Sequence, residues 1–168
     1  MDAAALRAMQ APHKESYKQN PGAALITLKA QGEIDDAKIA CKVETGRALA
    51  VAGLHPATGG SGAELCSGDM LLEALVACAG VTLKAVATAL QIPLKGGVVK
   101  AEGDLDFRGT LGVAKDAPVG FRAIRLAFEL DSDAPKDKLD TLLKLTERYC
   151  VVFQTLSTKP QLSVEMRA

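Results

Sequence analysis

Asp69-Met70-Leu71-Leu72-Glu73-Ala74-Leu75-Val76-Ala77-Cys78-Ala79-Gly80-Val81-Thr82-Leu83 is the stretch that the rest of the chain must accommodate. From Met70 to Leu83 only Glu73 is charged. An amphipathic surface helix shows a polar face every three or four residues; this one does not, and it reads as a helix buried on nearly every side. Continued to Leu90, it would be roughly 30 Å long. A thiol, Cys78, sits near its middle. Spanning a bilayer takes about 20 mostly apolar residues, and here Glu73 and Lys84 interrupt the run with charges that are expensive in lipid. The expectation is the core helix of a soluble protein, with no membrane contact. One short chain has little material to wrap such a helix, so a partner subunit is the natural source of the missing cover.

The bulk properties agree with a soluble globular chain. Its 168 residues suit one domain of ordinary size or two small lobes. Apolar residues make up 48% and charged residues 24%, a globular balance and not a disordered one. Lys and Arg together number 20, as do Asp and Glu, and no basic run stands out. Nucleic-acid binding through phosphate neutralisation is therefore not expected. The absence of Trp leaves few platforms for base stacking. The N-terminal Met1-Asp2-Ala3-Ala4-Ala5-Leu6-Arg7 lacks the basic and apolar regions of a secretory signal. A cytoplasmic location follows as the expectation, with thiols reduced and no stable structural disulfide. Cysteines at 41, 66, 78 and 150 form no Cys-x-x-Cys pair, and His13 and His55 lie apart from them, so no metal site is expected.

Working outward from the central stretch, Ser67 or Asp69 supplies a capping oxygen at its start, and Asp69 suits the positive end of the helix. Gln91-Ile92-Pro93 stops it, and Lys95-Gly96-Gly97 turns the chain. Before it, His55-Pro56-Ala57-Thr58-Gly59-Gly60-Ser61-Gly62 is a loop with special backbone angles, and it lacks the Lys-Ser/Thr ending of a phosphate loop. His55 is read as a residue that fixes this loop. Further upstream, 24–30, 38–44 and 48–54 read as three strands of an antiparallel meander, with Gln31–Asp36 a turn. Cys41 shares an apolar strand face with Ile39 and Val43 and is expected to be an inert filler. Cys66 falls in a loop. A short helix is expected at Ala3–Met9, and Asn20-Pro21-Gly22 breaks the chain after it.

Downstream, Val99–Arg108 alternates strictly, with Val99, Ala101, Gly103, Leu105 and Phe107 facing inward. Ile124, Leu126, Phe128 and Leu130 alternate in the same way and make the return strand of a hairpin. Ser132-Asp133-Ala134-Pro135 starts a second helix. Leu139, Leu142, Leu143, Thr146, Tyr149, Cys150 and Phe153 follow at helical spacing on one mostly apolar stripe. Gln161–Arg167 is a last strand with Leu162, Val164 and Met166 inward. Strands, a buried helix, a hairpin, a second helix and a final strand make an α+β pattern. Two thiols, Cys78 and Cys150, lie on apolar faces of its two main helices. They are placed to meet if those helices pack together, although buried cysteines often only fill space.

Two motifs carry a resemblance. Gly59-Gly60, then Met70-Leu71-Leu72-Glu73-Ala74-Leu75-Val76-Ala77-Cys78, resembles the OsmC/Ohr family of osmotically inducible and organic hydroperoxide resistance proteins. So does Ser132-Asp133-Ala134-Pro135 through Leu139-Asp140-Thr141-Leu142-Leu143 to Glu147-Arg148-Tyr149-Cys150-Val151-Val152. The resemblance divides the chain into an N-terminal extension, 1–23, and an OsmC-like domain, 24–168. It implies antiparallel sheets around two central helices in an intertwined homodimer. It also implies a thiol-dependent peroxidase that reduces a small organic hydroperoxide, with Cys78 peroxidatic and Cys150 resolving. A dithiol reductant would restore the pair, and no cofactor, metal or prosthetic group is implied. The alternative is a redox-inactive OsmC-like dimer that binds a small apolar ligand or partner. The chain departs from the family in two places. Val151 stands where the second motif usually has proline. Family peroxidases also commonly pair an Arg with a Glu in the first turn of the first helix, and Ser67-Gly68-Asp69 stands here instead. Asp69 is the candidate substitute, Arg47 the cation to test first, and Glu73, five residues before Cys78, lies about 140° round the helix from it.

Overall fold

A computed structural model describes residues 2–19, 31–34, 40–44, 49–112 and 114–167. The chain forms two compact units, one built from Met1–Arg7, Ala74–Lys100 and Phe128–Ala168, the other from Ala8–Glu73 and Ala101–Ala127. The observed class is α+β, as the pattern of the sequence implied.

The chain opens with α1 (Ala3–Gln19), whose first turn is capped by Asp2, its Oδ1 accepting from Ala5 N at 2.8 Å. This helix is longer than the expected Ala3–Met9. Lys14, Glu15, Lys18 and Gln19 are good helix formers that carry it past Pro12, which leaves one ladder bond unmade.

In the second unit, β1 (Gln31–Ile34), β2 (Ala40–Glu44), β3 (Leu49–Gly53) and β4 (Leu65–Cys66) form one sheet in that order. β1 and β2 pair antiparallel, as do β2 and β3, whereas β4 adds to β3 in parallel. The strand expected at 24–30 lies outside the described residues. Gln31–Ile34, expected as a turn, is a strand, because its pairing with Cys41–Glu44 outweighs the local turn signal of Gly32. Cys41 sits in β2 between Ile34 and Ala52. Cys66, expected in a loop, is half-buried in β4. The glycine-rich loop holds a single 3-10 turn, Pro56–Thr58. Gly59 ends it at φ 90°, and a Cβ on Gly60 would fall 1.7 Å from the Leu54 carbonyl oxygen, so the chain passes itself here too closely for any side chain.

The central stretch forms α2 (Ser67–Ala89), with Asp69 in its first turn. By length and composition α2 could cross a membrane, a test that core helices of soluble proteins also pass. Leu75, Ala79, Leu83 and Ala87, one residue per turn, are its buried line. Burial on nearly every side is not observed. Ala74, Ala77 and Val81 are exposed, Val81 at 72%, because the single chain supplies cover for one face only.

The end of α2 is closed by a Schellman motif. Ile92 N donates to Ala87 O at 2.9 Å and Gln91 N to Thr88 O at 3.2 Å. Ile92 and Ala87 then meet in the apolar core with Leu83 and Leu142, flanked by Val86, Leu94, Phe128, Leu130, Ala134 and Leu139. The residue that must turn left-handed is Gln91, at φ 56°. A side chain there costs about 1–2 kcal/mol of local strain, part of which glycine gives back in unfolded-chain entropy. Gln91→Gly is therefore expected to stabilise the protein by about 1 kcal/mol, read as a higher midpoint in urea at unchanged slope. A lower midpoint would show that the cap is not strained.

β5 (Gly96–Asp104) and β6 (Ala123–Asp131) form a two-stranded sheet. Lys95 N reaches Asp131 O at 2.9 Å and Arg122 N reaches Asp104 O at 2.8 Å, an antiparallel register. Val99, Ala101 and Gly103, and Ile124, Leu126, Phe128 and Leu130, are the half-buried faces, as the alternation required. β5 stops before Arg108, however. Asp106 Oδ1 accepts from Arg108 N at 3.2 Å and caps the short α3 (Phe107–Thr110). The Arg108 guanidinium also holds the Asp106 carboxyl down at about 2, so the cap stays ionised.

After β6 come α4 (Lys136–Tyr149) and α5 (Val151–Ser157). The N-cap of α4 is Pro135, with no side-chain cap; Ser132 Oγ donates instead to Pro93 O at 2.6 Å. The strand expected at Gln161–Arg167 is not formed, and Leu162, Val164 and Met166 are 76%, 99% and 90% exposed. The alternation persists in the sequence, but the described chain gives this segment no strand to pair with.

Candidate functional site

The stripe on α4 was expected to run through Cys150 into Phe153 as one helix. The helix breaks at Cys150 instead. Its backbone is extended, φ −72° and ψ 108°, and it is at once the end of α4 and the residue before α5. Cys150 N still donates to Thr146 O at 2.9 Å, and its own carbonyl accepts from Gln154 N at 2.9 Å. The side chain of Gln154 crosses the break, its Nε2 reaching Glu147 O at 2.9 Å and satisfying one carbonyl that the interrupted helix left open. Because the ladder restarts, the amides of residues 151 and 152 have no helical acceptor and are available to another group.

That group is Cys78. Around its half-buried sulfur, the amides of Val152 and Val151, the Cys150 thiol and the Thr82 hydroxyl, one helical turn further along α2, are the donors that favour the thiolate. Burial works against ionisation of Cys78. The amide of Val152, the Cys150 S–H, the amide of Val151 and the Thr82 hydroxyl together outweigh it, and the thiol is lowered below its ordinary value. Cys150 behaves in the opposite way. Burial pushes it up; the Phe153 and Val152 amides offset part of that, and the hydrogen bond to Cys78 and the negative charge on the Cys78 sulfur add to the rise. The pair is thus asymmetric: Cys78 ionises first, and the buried Cys150 keeps its proton to higher pH.

Thr146 stands beside this pair. It is 1% exposed, between Leu142 and Cys150 on the buried line of α4, and its Oγ1 has no hydrogen-bond partner among the described residues. An unpartnered buried hydroxyl costs about 1–3 kcal/mol.

The structure brings together Cys78 and Cys150, the two thiols singled out in the sequence. Arg47 lies outside the described residues. Asp69 and Glu73 are both exposed on α2. His55 does fix its loop: Nδ1 accepts from Ala57 N at 3.0 Å, and the ring stacks on Phe107 at 4.8 Å and 18°. The amides of Val151 and Val152 and the hydroxyl of Thr82 are additions that sequence reading missed. Backbone donors leave no mark in a sequence, but Thr82 at four residues from a helical cysteine was a visible signal.

Comparison with known proteins gives the family and the fold. The family model described as OsmC-like protein matches residues 60–165. The OsmC-like protein of Mycoplasma pneumoniae has the same fold, with a TM-score of 0.66 at 16% identity over 80% of this chain and 89% of that one. The organic hydroperoxide resistance protein OsmC of Legionella pneumophila superposes with a TM-score of 0.61 at 13% identity, covering 79% of this chain and 91% of that one. For the organic hydroperoxide resistance protein OhrB of Bacillus subtilis the TM-score is 0.53 at 15% identity, over 79% and 93%. No curated protein matches the sequence.

Proposed function

The chain belongs to the OsmC-like protein family, and from that premise we propose that it is a thiol-dependent peroxidase that reduces organic hydroperoxides, with Cys78 peroxidatic and Cys150 resolving. The observation that carries the reading is the asymmetry of the two facing thiols, one depressed by hydrogen-bond donors and the other raised by burial. The Cys78 thiolate attacks the terminal oxygen of the hydroperoxide. An S–O bond forms, the O–O bond breaks, and the alkoxide leaves and takes a proton to become the alcohol. Cys78 is now a sulfenic acid. Cys150 then attacks the Cys78 sulfur; the S–S bond forms, the S–O bond breaks, and the hydroxide leaves as water with the Cys150 proton. A dithiol reductant returns two electrons and two protons. Such a cycle suits a reducing compartment, the cytoplasm. The buried lines that run on from the thiols along α2 and α4 are apolar, with Ala79, Leu83 and Leu142, and favour an organic substrate over a small polar oxidant.

The test is consumption of cumene hydroperoxide with a dithiol reductant, compared with hydrogen peroxide. Turnover with the organic substrate at least tenfold faster is the expected result. A second reading, a redox-inactive dimer that binds a small apolar ligand, draws on the neutrality of the groups that hold the Cys78 sulfur: two amides, a hydroxyl and a thiol. No turnover with either peroxide would establish that reading in place of the first.

Both readings use a homodimer. The exposed apolar face of α2 at Ala74, Ala77 and Val81, together with Tyr149 at 57% and Val151 at 70%, is the surface a second copy would cover. The unpaired terminal segment with Leu162, Val164 and Met166 is the strand that a second copy would take up. Sedimentation at micromolar concentration is expected to give twice the mass of 17.5 kDa. A folded monomer at that concentration would refute the dimer.

A further inference from the structure

The two helices that carry the thiols also carry two threonines, each four residues from a cysteine: Thr82 after Cys78 on α2, Thr146 before Cys150 on α4. Helical threonines commonly turn their hydroxyl back onto the carbonyl four residues earlier. Thr88, Thr141 and Thr155 do so at 2.8, 2.9 and 2.8 Å. The Thr82 hydroxyl instead acts on the Cys78 sulfur, where it favours the thiolate. Thr146 Oγ1, buried, takes no partner among the described residues.

The contacts between the helices fix where Thr146 lies. Cys78 meets Cys150 through a hydrogen bond. Further along α2, Leu83 and Ala87 share an apolar cluster with Leu142, which is earlier on α4. The two helices therefore run in opposite directions past each other at this point. Thr146, midway between Cys150 and Leu142, comes level with Thr82, one turn beyond Cys78 and roughly 6 Å along the axis from the thiol pair. Valine would fill the same space as Thr146 without an unsatisfied hydroxyl. Among the described residues the hydroxyl has no acceptor, and it sits one helical turn from the thiol pair on a buried, mostly apolar line.

We propose that Thr146 is a substrate-binding residue whose Oγ1–H binds the oxygen that leaves when Cys78 attacks a hydroperoxide, while Thr82 positions the attacking sulfur. The proposal rests on the peroxidase reading. As the O–O bond breaks, its electron pair goes to the alkoxide oxygen. Thr146 donates a hydrogen bond to that oxygen, and a solvent proton completes the alcohol. The ligand class is an oxygen attached to an apolar group, which satisfies the hydroxyl and fills the apolar surroundings together.

Two rates on the reduced protein test this: the rapid reaction with cumene hydroperoxide, and alkylation of Cys78 by iodoacetamide, in which no oxygen leaves. Thr146→Val is expected to slow the hydroperoxide reaction about a hundred- to a thousandfold, the range for removing one such donor. It should leave alkylation and the thermal midpoint undiminished. Thr146→Ser keeps the hydroxyl and should stay within about threefold of the parent, a small part of that range. Thr82→Val should slow both reactions together. If Thr146→Val does not fold, Thr146→Ala carries the same comparison. A Thr146→Val protein with the parental hydroperoxide rate would overturn the subsite and leave the peroxidase standing. So would a loss of alkylation in step with the loss of peroxide reaction, which marks a packing defect. A parent protein inert to hydroperoxide would remove the peroxidase reading, and the subsite with it.

Discussion

The Cys78→Ser protein is expected to consume no cumene hydroperoxide, and the Cys150→Ser protein to consume one equivalent and stop. The attacking group must be a thiolate, since the thiol is a poor nucleophile. Of the two cysteines that face each other, Cys78 has the donors, and Cys150 has a proton that burial helps it keep. Serine at 78 removes the only one of the pair that ionises readily. Serine at 150 leaves the first step possible but removes the second sulfur, so the sulfenic acid on Cys78 accumulates and is labelled by dimedone. With more hydroperoxide it climbs to the sulfinic acid, which a dithiol does not reverse. A dimedone adduct on Cys150 in the Cys78→Ser protein would reverse the two roles. Unchanged peroxide consumption in both variants would dismiss the pair altogether. Cys66, half-buried in β4, and Cys41, in β2, are outside the pair, and labelling of either is no measure of it.

What the sequence made legible is the face each element turns inward. Val99, Ala101 and Gly103 against Lys100, Glu102 and Asp104, and Ile124 through Leu130, follow a period of two because each strand has one wet face. Leu142, Thr146 and Cys150 fall one turn apart on a helix, and all three are buried. The α+β class and the family follow from that order of elements and from the two motifs. Less legible is anything set by a partner remote in sequence. Gln161–Arg167 alternates like a strand, but alternation says nothing about which strand will pair with it. The helix α2 is apolar nearly all round, yet composition cannot say how much of its cover comes from its own chain. The break at Cys150 has no glycine or proline to announce it. It is held by Gln154 reaching Glu147 O and by two amides turned onto Cys78, none of which periodicity encodes. The substitution that reports the break is Val151, a residue with an N–H where the family motif usually has none.

Val151→Pro is expected to raise the pKa of Cys78, because it removes one of the amide donors that favour the thiolate. The change is close to a deletion of a single N–H. Val151 is the first residue of α5, the helical position where proline is best tolerated. Cys150 before it is already extended at ψ 108°, as a residue preceding proline prefers. The Val151 side chain is 70% exposed, so little packing is lost. The sign of the effect follows from the donor. The Val151 amide favours the thiolate, so its removal moves the ionisation of Cys78 to higher pH. At a pH where Cys78 is only partly ionised the thiolate fraction falls, but a more basic thiolate is also more nucleophilic, with a Brønsted slope of about 0.4–0.5, which recovers part of the loss. The net expectation is slower alkylation of Cys78 in the proline variant at low pH, where the thiolate is the minor form. Above both pKa values, where either protein is fully thiolate, the proline variant should be the faster. The two pH profiles must therefore cross, and a packing defect would not make them do so, since it would slow the reaction at every pH. Alkylation by iodoacetamide, followed at the Cys78 peptide by mass spectrometry from pH 5 to 10, reads both arms. Val151→Ala, which keeps the N–H, should follow the parent profile throughout. Superimposable profiles for the proline variant and the parent would show that the amide of Val151 does not hold the sulfur. The low pKa of Cys78 would then rest on Val152, Cys150 and Thr82 alone.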